Sequence, residues 1–112
     1  HALSSGKAET IVKLYDEDAI LLATLAAKPL KTQEERLAYF TGLMRKPKLK
    51  ATLNEEYIRR LDEDDAVVSG IYTFGFEESG KTVEVPARYT FVFEKENGRW
   101  MIVEHHSSKV PD

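Results

Sequence analysis

Arg88 is the side chain in this sequence that most needs a partner. It interrupts Val83 to Phe93, a run otherwise rich in β-branched and aromatic residues. A guanidinium buried in such a layer costs several kcal/mol unless an anion sits against it. A bound carboxylate or phosphate could be that anion, held by charge-assisted bidentate hydrogen bonds. Glu84, four residues away on the same strand face, is the structural alternative. His105 and His106 are the other candidates, and one of them is placed to share an anion with Arg88. For each, a hydrogen-bonded structural histidine is the plainer reading. Neighbours on a strand face opposite ways, so the two histidines cannot bind one metal ion together, and neither metal nor cofactor is expected. Glu104, Tyr72 and Tyr89 are the residue types of an acid–base enzyme with a carboxylate tuned by burial. No spacing among them marks a catalytic set.

These residues are positioned by one long hairpin. Asn97-Gly98 separates Pro86 to Phe93 from Trp100 to Ser108, and Asn-Gly between β-branched and aromatic runs is the strongest short hairpin signal, because both turn residues must reach positive φ. Alternation puts Val83, Val85, Ala87, Tyr89, Phe91 and Phe93 on one face and Arg88 and Thr90 on the other. With a two-residue turn and no bulge, Thr90 stands opposite His105 and Arg88 opposite Ser107. A bulge would shift that register.

Upstream, Gly6 to Tyr15 reads as a short helix closed by Asp16-Glu17-Asp18, and Ala19 to Leu25 as a short strand ended by Pro29. Thr32 with Glu35 has capping-box spacing, and Leu37, Phe40, Leu43 and Met44 carry helical periodicity as far as Arg45. Leu49 to Leu61 reads as a strand, the acidic run Asp62 to Asp65 as a solvated turn, and Ala66 to Phe76 as a strand turning at Glu77 to Gly80 into Thr82 to Phe93. The sum is an α+β fold: helix, short strand, helix, then a four-strand antiparallel meander. Large apolar groups alternate on both sheet faces, as with Tyr72, Phe74 and Phe76 against Ile71 and Thr73. Helices can cover only one face, so the other is expected to be buried in a homodimer or larger symmetric assembly.

Composition narrows the function classes. One domain is expected over 112 residues, with 42% hydrophobic and 31% charged residues. A net charge of −3 without a basic block argues against nucleic acid, and no apolar run reaches the length of a membrane span. Zero cysteines excludes disulfide and thiol chemistry. A cytoplasmic location is the expectation, with a secreted or periplasmic one left open by the abrupt start at His1.

Leu14-Tyr15-Asp16-Glu17-Asp18-Ala19, Tyr39-Phe40 with Leu43 and Lys46-Pro47, Leu53-Asn54, and Asn97-Gly98-Arg99-Trp100-Met101-Ile102-Val103-Glu104-His105-His106-Ser107-Ser108 follow in an order that resembles the association domain of calmodulin-dependent protein kinase type II. They resemble still more its stand-alone bacterial relatives in the nuclear transport factor 2-like superfamily, of SnoaL-like type. The resemblance implies a cone, a strongly curved antiparallel sheet wrapped around N-terminal helices with a pocket at the wide end, and a longer N-terminal helix ahead of residue 1. It also implies an anion pocket lined by arginines. Arg88 resembles one of these, while Tyr72 and Ser107 stand where two others are found. The ligand-binding set expected is therefore Arg88, His105, Tyr72, His106 and Ser107, for a small carboxylate in an oligomeric domain. An isomerase, cyclase or hydrolase-type enzyme is the second reading, and a purely structural association module the third.

Overall fold

The computed structural model describes residues 8 to 111. Helices α1 (Ala8–Val12) and α2 (Gln33–Met44) lie with five strands: β1 (Tyr15–Leu22), β2 (Lys50–Arg60), β3 (Asp65–Glu78), β4 (Lys81–Glu96) and β5 (Arg99–Lys109). Strands β2 to β5 form the expected antiparallel meander, in the spatial order β1-β5-β4-β3-β2. Both tight turns hold consecutive residues at positive φ, Ser79-Gly80 and Asn97-Gly98, the conformation that matches strand twist in two-residue hairpins. Helix α2 starts as its sequence predicts: the Glu35 amide donates to Thr32 Oγ1 at 3.1 Å, and Glu35 Oε1 accepts from the Thr32 amide at 3.1 Å.

The N-terminal elements differ from expectation. Residues 6 and 7 of the expected first helix lie outside the described residues, and α1 ends at Val12 rather than Tyr15. Tyr15 to Asp18 belong to β1, which runs parallel to β5 and makes the sheet mixed. The Ile102 amide donates to the Leu14 carbonyl at 2.8 Å. This long-range pairing overrides the local helical pattern at Leu14-Tyr15. The strand is irregular: Tyr15 pairs with Ile102 and Ile20 with Glu104, so Asp16 to Ala19 loop out of the ladder and leave carbonyls unused. Those carbonyls meet Arg36 of α2, which is wholly buried. Its guanidinium donates to the carbonyls of Ala19 at 2.5 Å, Asp16 at 3.0 Å and Glu17 at 2.9 Å, and to Gln33 Oε1.

A second irregularity lies on β2, between Leu53 and Glu55, where it pairs with β3. There the Glu55 carbonyl turns over Gly70 and accepts from the Tyr89 hydroxyl at 3.2 Å. A Cβ on Gly70 would fall inside van der Waals contact with that carbonyl oxygen and 3.0 Å from the tyrosine oxygen. Gly70→Ala should therefore force the β2 backbone aside and cost ~2 kcal/mol or more in chemical denaturation. A variant within a few tenths of a kcal/mol of wild type would refute this.

The core lies between α1, α2 and one sheet face, and includes Ile11, Tyr15, Leu21, Phe40, Leu43 and Tyr72. Helix α2, 12 residues or about 18 Å long, spans less than half of the 46 Å long axis. Edge strand β2 is consequently exposed along nearly its whole length, with Leu53, Tyr57 and Ile58 more than half accessible. The sheet does not close: β1 and β2 are its terminal strands, and β1 is bridged on its outer edge only from Leu21 to Leu30 among the described residues.

Candidate functional site

A cavity of about 290 Å³ opens between the helices and the sheet. Parity along the strands supplies its wall, with Val68, Tyr72 and Phe74 on β3 and Tyr89 and Phe91 on β4, while on β5 an extra residue at Val103 lets Ile102 share that face with His105 and Ser107. Helix α2 closes it with Tyr39, Phe40 and Leu43, at the spacing of one helical face. The exposed Leu53 and Glu56 mark its mouth, and among the described residues Glu56 is the one carboxylate in the lining. No lysine or arginine among the described residues lines it.

His105 is the centre of its polar end. Its ring stacks on Phe91 with centroids 3.9 Å apart. Nδ1 lies 2.8 Å from the Tyr15 hydroxyl and Nε2 3.2 Å from the Tyr72 hydroxyl. Burial, followed by the nearby His106, pushes its pKa down to about 3, so the imidazole is neutral at physiological pH. Burial likewise raises the Tyr15 and Tyr72 phenols far above the ordinary tyrosine value, so both keep their protons. On the same wall the Ser107 hydroxyl bonds Thr24 Oγ1. Two polar groups, Tyr15–His105–Tyr72 and Ser107–Thr24, thus interrupt an otherwise apolar cavity. Both histidine nitrogens are engaged, and among the described residues no three His, Cys, Asp or Glu side chains cluster to hold a metal ion. This chemistry suits hydrogen bonding to a bound molecule better than proton abstraction, because an imidazole with so low a pKa is a weak base.

Of the five residues read from sequence, Tyr72, His105 and Ser107 come together here, while Arg88 and His106 do not. Both lie exposed on the opposite sheet face. The histidines do face opposite ways, but the expected pairing is one residue out: Thr90 stands against His106 and Arg88 against Ser108. The reason is a bulge. Near the turn Phe93 pairs with Ile102, but Val92 pairs with Glu104, so Val103 is the extra residue and every pair beyond it is shifted. The bulge turns His105 and Ser107 to the cavity, while Arg88 lies on the outer face of β4 and is solvated, so the desolvation cost that demanded a partner does not arise. Glu84 and Glu104 share that outer exposure. Among the described residues the one ion pair joins Lys48 to Glu77 at 2.8 Å.

Sequence reasoning missed Arg36, Tyr15 and Thr24 as parts of the site or its support. Arg36 had a signal, since it lies four residues before Phe40 and seven before Leu43, on the buried face of α2. Tyr15 and Thr24 had none, because their partners His105 and Ser107 are 90 and 83 residues away.

A Xanthomonas campestris protein provisionally called a calcium/calmodulin dependent protein kinase II association domain superimposes with a TM-score of 0.91 and 40% identity, over 99% of this chain and 79% of that one. A calcium/calmodulin dependent protein kinase II hub homology domain from Chlamydomonas reinhardtii superimposes at 0.80 with 28% identity, over 98% and 88%. The association domain of the C. elegans kinase does so at 0.80 with 26% identity, over 96% and 84%. Cystatin-like and nuclear transport factor 2-like proteins share the fold at lower identity. No curated protein matches significantly. The family profile described as the calcium/calmodulin dependent protein kinase II association domain matches residues 1–111. Meander, capped helix and cavity thus fall within one matched span, and the chain belongs to the calcium/calmodulin dependent protein kinase II association domain family.

Proposed function

We propose that this chain is a self-associating domain whose cavity binds a small neutral molecule. The observation that carries self-association is the uncovered apolar surface. Leu53, Tyr57, Ile58 and Leu61 are all more than half exposed on or beside an 11-residue edge strand. Such an edge is normally covered or blunted. On the outer sheet face Val67, Ile71, Val92 and Met101 are only half-buried. The names of the two kinase relatives, hub and association domain, support the same reading. An interface over this surface would bury on the order of 2,000 Å² in total. Val92→Lys, which places a charge mid-strand on the outer face, should convert the assembly to monomers in sedimentation while far-ultraviolet circular dichroism stays unchanged. A wild-type monomer at micromolar concentration would overturn the reading.

The expectation of a small carboxylate rested on Arg88 as its cation. With Arg88 outside and no lysine or arginine among the described residues of the lining, a carboxylate buried against them would lose hydration without compensation, so a neutral ligand is better supported. His105, Tyr72 and Ser107 remain its proposed contacts. The enzyme reading needs a carboxylate base beside the phenols, and the one carboxylate in the lining, Glu56, is exposed at the mouth.

A further inference from the structure

Strand β2 ends the sheet on one side, and residues 52 to 60 are exposed without exception. Its second half reads Glu55-Glu56-Tyr57-Ile58-Arg59-Arg60: two acids, two large apolar side chains, two arginines. Reversed and laid against itself, that order brings acids to arginines at both ends. An edge guarded against pairing carries lysines or a proline instead, and this half has neither. The backbone fixes which residues can meet. The Leu61 amide donates to the Asp65 carbonyl at 2.9 Å and the β2–β3 pairing is regular from Glu56 to Arg60, so the amides and carbonyls of Glu56, Ile58 and Arg60 point away from β3. Their side chains share the cavity face: Glu56 lies in the lining, Ile58 stands against the lining residue Val68, and the Arg60 guanidinium carbon is 5.3 Å from the centre of the Trp100 ring.

We propose that two copies of this chain join β2 to β2 antiparallel, about a two-fold axis through Ile58, and that each places its Arg60 at the mouth of the other's cavity. The proposal rests on the reading of the chain as self-associating and names the edge, the register and the residues. In this register Ile58 meets its counterpart, and Glu56 meets Arg60 of the second copy on both sides of the axis, with about six backbone hydrogen bonds between the strands. On the opposite face Tyr57 meets Arg59 of the second copy. The next register, centred on Tyr57, is worse, because it sets each Glu56 carboxylate against an Ile58. Arg60 can turn to its new partner at little cost, since its contacts with Trp100 and with the carbonyls of Asp62 and Glu63 are made at the surface. Beside Glu56, the one carboxylate among the described lining residues, the arginine neutralises the mouth and suits it to an uncharged ligand. The edge contact is smaller than a standard interface, so it does not hold copies together by itself. It adds to association of the outer sheet faces, and the two contacts together build an assembly larger than a dimer.

The test is a charge exchange in the full chain, read by sedimentation. Both side chains are exposed, so the core is untouched. Glu56→Arg sets arginine against arginine across the axis, and Arg60→Glu sets acid against acid, so each variant alone should fall to half the wild-type mass or less. Mixed in equal amounts, the two present arginines to acids again, and the mixture should regain the wild-type mass. A contact within one chain cannot be restored in that way. Ile58→Cys gives a second reading without a change of charge, since the chain has no cysteine of its own. Mild oxidation should link Ile58→Cys into covalent dimers but link Tyr57→Cys poorly, because only residue 58 faces its own counterpart within disulfide reach. Single variants that keep the wild-type mass, a mixture that does not regain it, or absence of the Ile58→Cys link would overturn the proposal and leave self-association through the outer face standing. A wild-type monomer at micromolar concentration would overturn both.

Discussion

Replacing Arg36 with methionine should destabilise the fold by roughly 3–5 kcal/mol, although the new side chain is apolar and close in length. The guanidinium is a connector rather than half of an ion pair. It donates to three backbone carbonyls of the Asp16 to Ala19 excursion and is itself held by Gln33 Oε1. Burial lowers its pKa, while Tyr15, Asp16 and Asp18 oppose that shift. Methionine would leave those carbonyls facing an apolar side chain, and each buried acceptor without a donor costs about 1–3 kcal/mol. The carbonyls of Asp16 and Glu17 are near enough to solvent to recover some hydration, which keeps the total at the lower end of their sum. Arg36→Lys should recover little, because one ammonium cannot fan across three carbonyls. Urea unfolding of the three proteins checks this. The same excursion sets Tyr15, whose ring lies 5.9 Å from the guanidinium carbon and whose hydroxyl bonds His105, so Arg36→Met should also perturb the His105 15N shifts. A loss below about 1 kcal/mol would show that the carbonyls find water readily and that Arg36 is dispensable.

Acid should weaken the fold well above the range in which carboxylates titrate, and His105 should be the cause. Its folded pKa of about 3 lies below the unfolded value of about 6.5. Between those values the unfolded chain takes up a proton that the native imidazole refuses, so stability is fully present above pH 6.5 and falls as the pH drops toward 3. At pH 4.5 the loss from this group is about 2–3 kcal/mol. Other groups add their own slopes, so the comparison that isolates His105 is with His105→Gln, which keeps a donor and an acceptor but does not titrate. The variant is expected to start less stable, having lost the stack on Phe91, yet to show a flatter profile between pH 6.5 and 4.5. Identical slopes in the two proteins would mean that the native imidazole takes up its proton normally.

The elements that the sequence determined by itself are those whose determinants are near neighbours. Asn97-Gly98 is a two-residue turn because its residue types reach positive φ at little cost, and the strands on either side alternate accordingly, whereas the turn read at Glu77 to Gly80 is narrowed to Ser79-Gly80 by pairing as far as Glu78 and Lys81. Thr32 and Glu35 start α2 through bonds that span three residues. The order of the meander and the opposite facing of His105 and His106 follow from the same local rules. Tyr72 and Ser107 were legible as cavity residues only through resemblance, and His105 only as one of two adjacent candidates.

Tertiary structure decided the rest. A single extra residue at Val103 shifts the pairing beyond it by one and turns His105 and Ser107 to the cavity face, away from Arg88, which stands against Ser108 on the outer face where its charge meets solvent. Alternation repeats every two residues, so nothing in strand composition marks where a bulge will fall. Tyr15 joins a strand instead of a helix because β5 offers a parallel edge, a partner about 90 residues away. The spacing of Arg36 puts it on the buried face of α2, but the carbonyls that receive it belong to an irregular strand that exists only once β1 has docked. The hydrogen bonds of His105 join β1, β3 and β5, and Ser107 beside it reaches Thr24 in the segment after β1. These hydroxyls are ordinary in sequence, and they become a site only where folding brings them together in an apolar wall without a counter-charge.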